Sequence, residues 1–554
     1  MKAGKTAKVL FFLLILLVFL TALAYCAQAD AGAPSGKEMP TEYFEYTVLE
    51  DGTVQIDRYI GPEKAVNVNI PAMIGGGRVT AIGKNAFRGC SGLTGSLTIP
   101  EGVTSIGRDA FVSCSGLTGK LILPDGLKSI GIEAFADCSG FTGSLILPDS
   151  LTDIGSSAFY LCSGFNGTLT IPEGVTSIGD AAFMDCSGFT GDLTIPAGVT
   201  SIGNRAFSDC SGFTGSLTIP GSVMSIGDYA FDYCSGLTGN LTIPAGVTNI
   251  GKCAFAGCSG LTGSLILPDG LTSIGERAFA WSGGLTGNLT IPEGVTSIGE
   301  GAFESCSGFN GNLVLPGSLT DISEFAFFGC SGLTGSLTIP EGVTDIGGQA
   351  FASCSGFNGC LILPNSLISI DESAFIDCSG LTGSLTIPAG ITSIGDYAFC
   401  DCSGLTGSLV FPEGVTSIGK SAFSGCSGFS GGLTIPESIT IINEMTFYDC
   451  SGLTGSLTIP ESVTIIGQSA FNNCSGFTGD LTIPAGVTSI GGSAFHRCGG
   501  LTGKLTILGS ATRIEGDPFQ MYIDKFRTIV VHCPRNSYAW NWAMKQYGYS
   551  PAEP

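Results

Sequence analysis

"CSGLTGSLTIPEGVTSIG", residues 90–107, recurs along the chain with few substitutions and no change of length. Its first residue returns every 24 residues from Cys90 to Cys498, with Ser282 as the one replacement in that series. A fixed period of about 20 to 50 residues is the signature of a stacked repeat protein. The 554 residues are therefore predicted to form one elongated solenoid and not several globular domains.

Each repeat begins with an extended segment, as residues 96–100 ("SLTIP") show. Apolar and polar residues alternate there, which predicts a strand with Leu97 and Ile99 facing inward. Pro100 lacks an amide hydrogen and is expected to end the strand ladder. After a turn at "EG", "VTSIG" is predicted to place Val103 and Ile106 inward in a second extended piece.

The remainder of the repeat, residues 108–114 ("RDAFVSC"), is predicted to form about one helical turn. Ala110, Phe111 and Cys114 stand at i, i+1 and i+4, a spacing that brings side chains to one helix face. The predicted fold class is therefore a β-rich repeat solenoid, with a parallel sheet on one side and short helical turns on the other.

A single repeat cannot bury its own apolar face, but stacked repeats can. Equivalent strands would pair in parallel about 4.8 Å apart, which gives a body on the order of 85 Å long. The phenylalanines that recur from Phe87 to Phe495 are predicted to form a continuous internal spine.

The cysteine row is predicted to consist of buried free thiols, because cysteine is small and tolerates burial. Disulfides between adjacent turns are an alternative on spacing alone. A metal site would require short-spaced cysteine pairs with histidine nearby, and the row has neither. Four cysteines outside the row are predicted to be the more reactive ones: Cys253, Cys360, Cys400 and Cys533.

Composition argues against some partners. The chain has 23 Lys+Arg against 46 Asp+Glu, a net charge of −23. Such a surface repels nucleic-acid phosphates and anionic membranes, so neither is an expected partner.

Residues 1–29 read as a signal peptide, with three lysines, an apolar run and "AQA" before Asp30. The 17-residue run "VLFFLLILLVFLTALAY" is short for a membrane-spanning helix, which needs about 20 residues. A lipoprotein reading would use Cys26, but the bulky Tyr25 before it argues against that. The mature chain is thus expected to be secreted or on the cell surface, without membrane insertion.

The remaining boundaries follow the pattern. Residues 30–43 are predicted to be a linker, 44–89 a capping hairpin with a first irregular repeat, and 90–510 the array of 24-residue repeats. Residues 511–554 are predicted to form a C-terminal cap with a last strand ("TIVVHCP") and a short helix capped by Asn536 or Ser537. That helix carries Trp540, Trp542 and Tyr547. These aromatic residues are predicted to supply apolar area to the cap, and a platform for a ligand is the alternative.

The repeat "LTIPEGVTSIGDAAFMDCSG" resembles the BspA-type leucine-rich repeat of bacterial surface proteins. "YTVLEDGTVQIDRYIG" and "TIVVHCPRNSYAWNWAMKQYGY" resemble that family's first and last units, so the likeness covers about residues 44–548. "LTGSLTIP" is one residue longer than the commoner family spacing, which should widen one turn. The resemblance implies a leucine-rich-repeat superhelix that is exported and acts in adhesion, protein binding or cell aggregation.

No catalytic or cofactor-binding constellation is predicted. The chain has two histidines, His496 and His532, and its serines recur without a histidine in register. Acidic residues often follow the strand proline, and a bound calcium ion is the alternative to plain solvation there. That row is Glu101, Asp125, Asp149, Glu173, Asp269, Glu293, Glu341, Glu413, Glu437 and Glu461. No metal site is predicted.

The outward side of the first strand is the candidate ligand-binding surface, predicted to be the concave sheet face. Residue identity varies there between repeats, although Thr, Ile and Val are also simply good strand formers. The candidate residues are Lys120, Thr170, Asp192, Thr194, Thr218, Asn240, Thr242, Asn288, Thr290 and Asn312.

The predicted function is an exported scaffold for protein–protein binding or cell adhesion, with an extracellular protein or glycan as ligand and no cofactor. A surface-coat or spacer protein without a specific ligand is the main alternative. Ice binding through the Ser-x-Thr rows and a secreted hydrolase are remote ones.

Overall fold

The computed structural model describes residues 37–508, 513–519 and 533–547. The predicted signal peptide, most of the linker, His532 and most of the predicted last strand lie outside these residues. In the described residues the chain forms a β-solenoid of parallel strands, as predicted.

The chain enters the stack through antiparallel pairs. A 3-10 turn at Thr41–Tyr43 leads into β1 (Phe44–Val48), which pairs antiparallel with β2 (Val54–Tyr59) across the "EDG" turn. Asp51 orders that turn by accepting hydrogen bonds from the amide and hydroxyl of Thr53. Next come β3 (Val66–Asn69), β4 (Met73–Ile74) and β5 (Gly77–Ile82), and β5 aligns in parallel with β2.

From there most repeats add one strand to each of two parallel ladders; Gly383–Ser384 and Leu405–Thr406, grouped here with the first ladder, pair only with each other, and the repeat that contains Leu457 adds no first-ladder strand. First-ladder strands are Thr94–Thr98, Leu121–Ile122, Leu145–Ile146, Leu169–Thr170, Leu193–Thr194, Leu217–Thr218, Leu241–Thr242, Leu265–Ile266, Leu289–Thr290, Leu313–Val314, Leu337–Thr338, Leu361–Ile362, Gly383–Ser384, Leu405–Thr406, Leu409–Val410, Leu433–Thr434, Leu481–Ile483 and Leu505–Ile507. Second-ladder strands are Ser105–Ile106, Ser129–Ile130, Asp153–Ile154, Ser177–Ile178, Ser201–Ile202, Ser225–Ile226, Asn249–Ile250, Ser273–Ile274, Ser297–Ile298, Asp321–Ile322, Asp345–Ile346, Ser369–Ile370, Ser393–Ile394, Ser417–Ile418, Ile441–Ile442, Ile465–Ile466, Ser489–Ile490 and Arg513–Ile514.

The two ladders differ in continuity. The second ladder forms a sheet of 13 strands that includes β1, β2, β4 and β5, and it continues in sheets of five and four strands. The first ladder forms mostly separate pairs, such as Leu145–Ile146 with Leu169–Thr170. Along the first half of the array these pairs recur every two repeats. The structural unit on that side is therefore 48 residues, twice the sequence repeat.

A phenylalanine spine runs through the interior, as predicted. The rings of successive repeats stack from Phe87 to Phe519, with neighbouring centroids between 4.7 and 6.1 Å apart. Tyr59 stacks on Phe87 at the N-terminal end, which extends the spine into the capping hairpin. Leu97, Ile99 and their equivalents are buried around it, so one core is shared by all the repeats.

The segment predicted as a helical turn is instead two consecutive β-turns. In the repeat of residues 131–138 the amides of Glu133, Phe135 and Asp137 donate to carbonyls of the next repeat. The amides between them, on Ala134 and Ala136, donate three residues back within the repeat. Glu133 and Asp137 reach this alternation with positive φ values of 55° and 57°. In a helix the amides all point along the helix axis, so alternate amides could not point sideways to the next repeat as these do.

The cysteine row lies inside the stack as free thiols, as predicted. Each buried thiol donates to the carbonyl of a phenylalanine in the preceding repeat, as Cys258 Sγ does to Phe231 O at 3.1 Å. Ser282 makes the same bond to Phe255 O at 2.7 Å. Burial raises the pKa of the Cys330 thiol to about 12, so it stays a protonated donor. The row therefore joins neighbouring repeats by hydrogen bonds.

At the C-terminal end the last described ring of the spine, Phe519, contacts Trp542, with centroids 5.9 Å apart. Trp542 lies on helix α1 (Tyr538–Tyr547). Ser537 caps α1, its hydroxyl accepting a bond from the Trp540 amide at 3.0 Å.

Candidate ligand-binding face

The candidate surface, here called the strand face, consists of the outward side chains of the first ladder and of the residue two positions before each. All ten predicted ligand-binding residues are exposed on it. Because the sheet is in register, Thr194 stands directly beside Thr218, and Thr242 beside Ile266. Lys120 and Asn312 lie eight repeats apart, about 40 Å, so these residues form a strip and not one focal site.

The strand face is β-branched along its whole length. Its outward strand position holds Thr, Ile or Val in every repeat from Thr98 to Thr506. Several of the aliphatic members are half exposed, Ile266 and Ile362 at 51% each. From Ile266 to Val410 an aliphatic residue returns at every second repeat, with threonine between.

The middle of the strand face carries no charge. The position two residues before the outward one holds Lys120, Asp192, Asp480 and Lys504 near the ends of the array. Between residues 216 and 456 this position holds only Ser, Asn, Cys or Gly. On a chain of net charge −23, the ionic groups are therefore concentrated elsewhere.

Several predicted ligand-binding residues also have a structural role that the sequence reasoning missed. Asp192 accepts hydrogen bonds from the amide and hydroxyl of Ser216 in the next repeat, at 2.6 and 2.9 Å. These bonds lower the pKa of the Asp192 carboxyl. Asn240 and Asn288 accept the corresponding amides at 2.9 Å. Ser96 accepts the Lys120 amide in the same way.

These hydrogen bonds from a side-chain oxygen to an amide of the next repeat, here called caps, recur once in every 48-residue unit. Each joins the two repeats of one first-ladder pair. The intervening repeats mostly carry a side-chain oxygen at the same position too, as Ser216 and Ser264 do, so the sequence alone does not mark the capping repeat. Gly95 adopts a positive φ of 76° just before its capping residue, and Gly191 and Gly239 do the same at 81° and 83°. Left-handed backbone is open to glycine at little cost, which explains why the longer repeat carries a glycine there.

The acidic row is also used within the stack. The carboxylate of Glu173 accepts the amide of Ala197 in the next repeat at 3.0 Å, and Glu293 accepts that of Gly317 at 3.1 Å. Among the described residues no group of three or more His, Cys, Asp or Glu is arranged to hold a metal ion.

The four cysteines predicted to be reactive differ in their exposure to solvent. Cys360 is exposed on the strand face, but Cys253, Cys400 and Cys533 are buried. Burial raises the pKa of all three thiols, that of Cys400 to about 12, which disfavours the nucleophilic thiolate. For these three the prediction was wrong. His496 is half-buried, and burial followed by the charge of Arg497 lowers its pKa.

The comparison with protein families matches the BspA-type leucine-rich repeat region in six overlapping copies, at residues 64–190, 118–238, 190–310, 238–358, 273–406 and 406–524. No curated protein matches the chain.

Several solved structures are similar over much of their length. A leucine-rich repeat protein from Treponema pallidum is 28% identical, covering 41% of this chain and 91% of that one, with a TM-score of 0.30. A leucine-rich cell surface protein from Faecalibacterium prausnitzii is 24% identical, covering 87% of this chain and 96% of that one, with a TM-score of 0.30. A leucine-rich repeat protein from Bacteroides ovatus is 22% identical, covering 90% and 100%, with a TM-score of 0.27.

In the part of the chain that the structure covers, no helix has the length and apolar character needed to cross a bilayer.

Proposed function

Because the chain belongs to the BspA-type leucine-rich repeat family, we propose that it is an exported scaffold that binds an extracellular protein through its strand face. Such repeats are typical of surface proteins, and the predicted signal peptide agrees with export. Repeat stacks offer long, regular surfaces to partners.

One observation carries the proposal: the uncharged, β-branched strip between residues 216 and 456, with half-exposed Ile266 and Ile362. Exposed aliphatic residues at regular spacing supply the apolar area that protein interfaces bury at their centre. The absence of charge there lowers the desolvation cost of contact. We therefore expect a partner with a flat, largely uncharged surface.

The alternative of a spacer without a ligand is favoured by the amide caps on the strand face. Asp192, Asn240 and Asn288 have a structural reason to be where they are, so their presence alone does not require a ligand. The exposed aliphatic residues make no such hydrogen bond, and their regular exposure supports the binding function.

The test is a binding screen of residues 30–554 against extracellular matrix proteins and whole cells. The strand-face variant is Ile266→Lys with Val314→Lys and Ile362→Lys. Its matched control places the same three charges at exposed serines of the second ladder, as Ser225→Lys, Ser297→Lys and Ser417→Lys. We expect binding that the first variant abolishes and the control retains. Absence of any partner, or equal loss in both variants, would favour the spacer.

A further inference from the structure

The outward surface of the paired β-turns, here called the turn face, has an unusual region between residues 205 and 305. Cys253, Ala256 and Ala280 are buried there as a small apolar cluster separate from the shared core, and Tyr229 packs against it. In the described residues the other buried apolar side chains that cluster belong to the one core. The region therefore buries apolar area on the outside of the stack, apart from the shared core.

Two large aromatic side chains flank this cluster and remain open to solvent. Tyr233 and Trp281 are 49% and 40% exposed. They occupy the same turn position two repeats apart, with Gly257 between them. The Tyr233 ring lies over Gly257, so closely that a side-chain carbon at residue 257 would stand 2.8 Å from it. Any residue other than glycine would lift the ring.

The sequence departs from its repeat at the same place. Trp281 immediately precedes Ser282, the single replacement in the cysteine row, and Gly283 follows where all the other repeats but the last, with Gly499, have serine. Ser282 keeps the hydrogen bond of the row, so the core does not require the departure. The altered outward residue, Trp281, is the part of this repeat that the fold leaves unexplained.

Two aspartates lie close to Tyr233, one next to it in the chain and one in the neighbouring repeat. Asp232 immediately precedes Tyr233, and Asp209 occupies the equivalent turn position one repeat before Tyr233. Burial, and then the neighbouring Asp209, raise the pKa of the Asp232 carboxyl to about 7. At neutral pH Asp232 thus both donates and accepts hydrogen bonds.

The nearby cations are already engaged. Arg205 covers the Tyr229 ring, with its guanidinium carbon 4.8 Å from the centroid. Arg277 pairs with Glu276 and Glu300 at 3.0 Å and with Glu304 at 3.4 Å. Arg277, together with Lys252 on Glu276, offsets part of the negative charge of these three glutamates, which leaves the aromatic rings in a region of mixed charge.

We propose that Tyr233 and Trp281 form a platform for the apolar face of a neutral sugar ring, whose hydroxyl groups bond to Asp209 and Asp232. Exposed aromatic rings with a few convergent polar groups are the usual components of a small-molecule site. This platform lies on the turn face, apart from the strand face, and does not depend on the function proposed above.

The surroundings favour a neutral sugar over charged ligands. An anionic glycan would meet Asp209 and Asp232 without a free cation. A cationic peptide would gain less from Asp232 than from an ordinary carboxylate, because burial keeps part of that carboxyl protonated at neutral pH. Hydroxyl groups suit a carboxyl that both donates and accepts.

The test is calorimetric titration of residues 30–554 with neutral hexasaccharides of glucose, mannose and N-acetylglucosamine, and with a tetra-lysine peptide as the cationic comparison. We expect one of the sugars to bind, with Trp281→Ala and Tyr233→Ala each weakening binding about tenfold or more. Gly257→Asn, which displaces the Tyr233 ring, should weaken it as well. Tyr397→Ala, an exposed tyrosine elsewhere on the turn face, is the control expected to leave affinity unchanged.

Three outcomes would overturn the proposal: no binding by any of the sugars, sugar binding that survives Trp281→Ala and Tyr233→Ala, or binding of the peptide alone at this site. Circular dichroism of each variant separates loss of the platform from loss of the fold.

Discussion

At the scale of single residues, the cysteine row shows what each repeat must supply. The phenylalanine carbonyl accepts one bond from an amide of its own repeat and a second from the thiol of the next, as Phe231 does from Cys234 and Cys258. Ser282 fills the same position with a hydroxyl and is fully buried. The position therefore selects a small side chain that donates a hydrogen bond.

This role predicts an order among variants at Cys258. Cys258→Ser keeps a donor and should cost less stability than Cys258→Ala, which leaves a buried carbonyl with one partner fewer. The difference is expected to be about 1 kcal/mol in the free energy of unfolding, measured by urea denaturation. If the alanine variant is as stable as the serine variant, the thiol acts only by filling space.

A second prediction concerns Asp232, whose pKa is raised from 3.8 to about 7 by burial and by Asp209. The folded chain holds this proton more tightly than the unfolded chain, so the stabilisation is complete at low pH and is lost as pH rises through 7. Asp232→Asn should therefore become increasingly more stable than the wild type as pH rises from 4 to 7, with a constant difference above about 8. Melting temperatures across this range check it, and a difference that shrinks with pH would contradict it.

At the scale of the element, the turn segment shows where sequence reasoning stopped short. Ala110, Phe111 and Cys114 are buried as predicted, but their spacing suits a helical turn and a pair of β-turns equally well. The residues that distinguish β-turns from a helical turn are others in the segment, those that adopt positive φ values. The residues at positive φ in the repeats, such as Asp109 and Ser113, are never Val, Ile, Thr or Pro. Left-handed backbone is costly for β-branched side chains, and proline cannot adopt it.

The conformation predicts the effect of substitutions at Ala181, which has a φ of 53°. Ala181→Val should destabilise by about 1 to 3 kcal/mol, and Ala181→Gly should be neutral or stabilising. Ala197→Val, an exposed alanine elsewhere in the neighbouring repeat, is the matched control and should cost little. Equal effects of valine at both positions would argue against the left-handed turn.

The strands, the buried positions and the phenylalanine spine could be predicted because repetition makes one repeat's pattern evidence for all. The exposure of the outward strand positions could be predicted for the same reason, since these positions follow from alternation. What could not be read was pairing between repeats: that Asp192 caps Ser216, or that first-ladder strands pair two by two. Such contacts depend on which of its two neighbours each repeat pairs with in the first ladder.

At the scale of the whole molecule, the stack explains how a chain with 12% charged residues and 85 glycines folds at all. Each repeat closes its neighbour's apolar face, and the capping hairpin stacks Tyr59 on the first spine residue, Phe87. The outer surfaces, which include the strand face and the turn face, stay exposed to solvent.

The central claim is that the repeats share one linear core. Small-angle scattering of residues 30–554, and of the same chain lacking residues 217–264, tests it most directly. The deletion removes two whole repeats and joins Ser216 to Leu265. Leu265–Ile266 then stands where Leu217–Thr218 stood, so it can pair with Leu193–Thr194 and the other first-ladder pairs stay as they are. We expect an elongated particle that shortens by about 10 Å with its cross-section unchanged. A compact, near-spherical particle, or a shortened chain that no longer folds, would contradict the account.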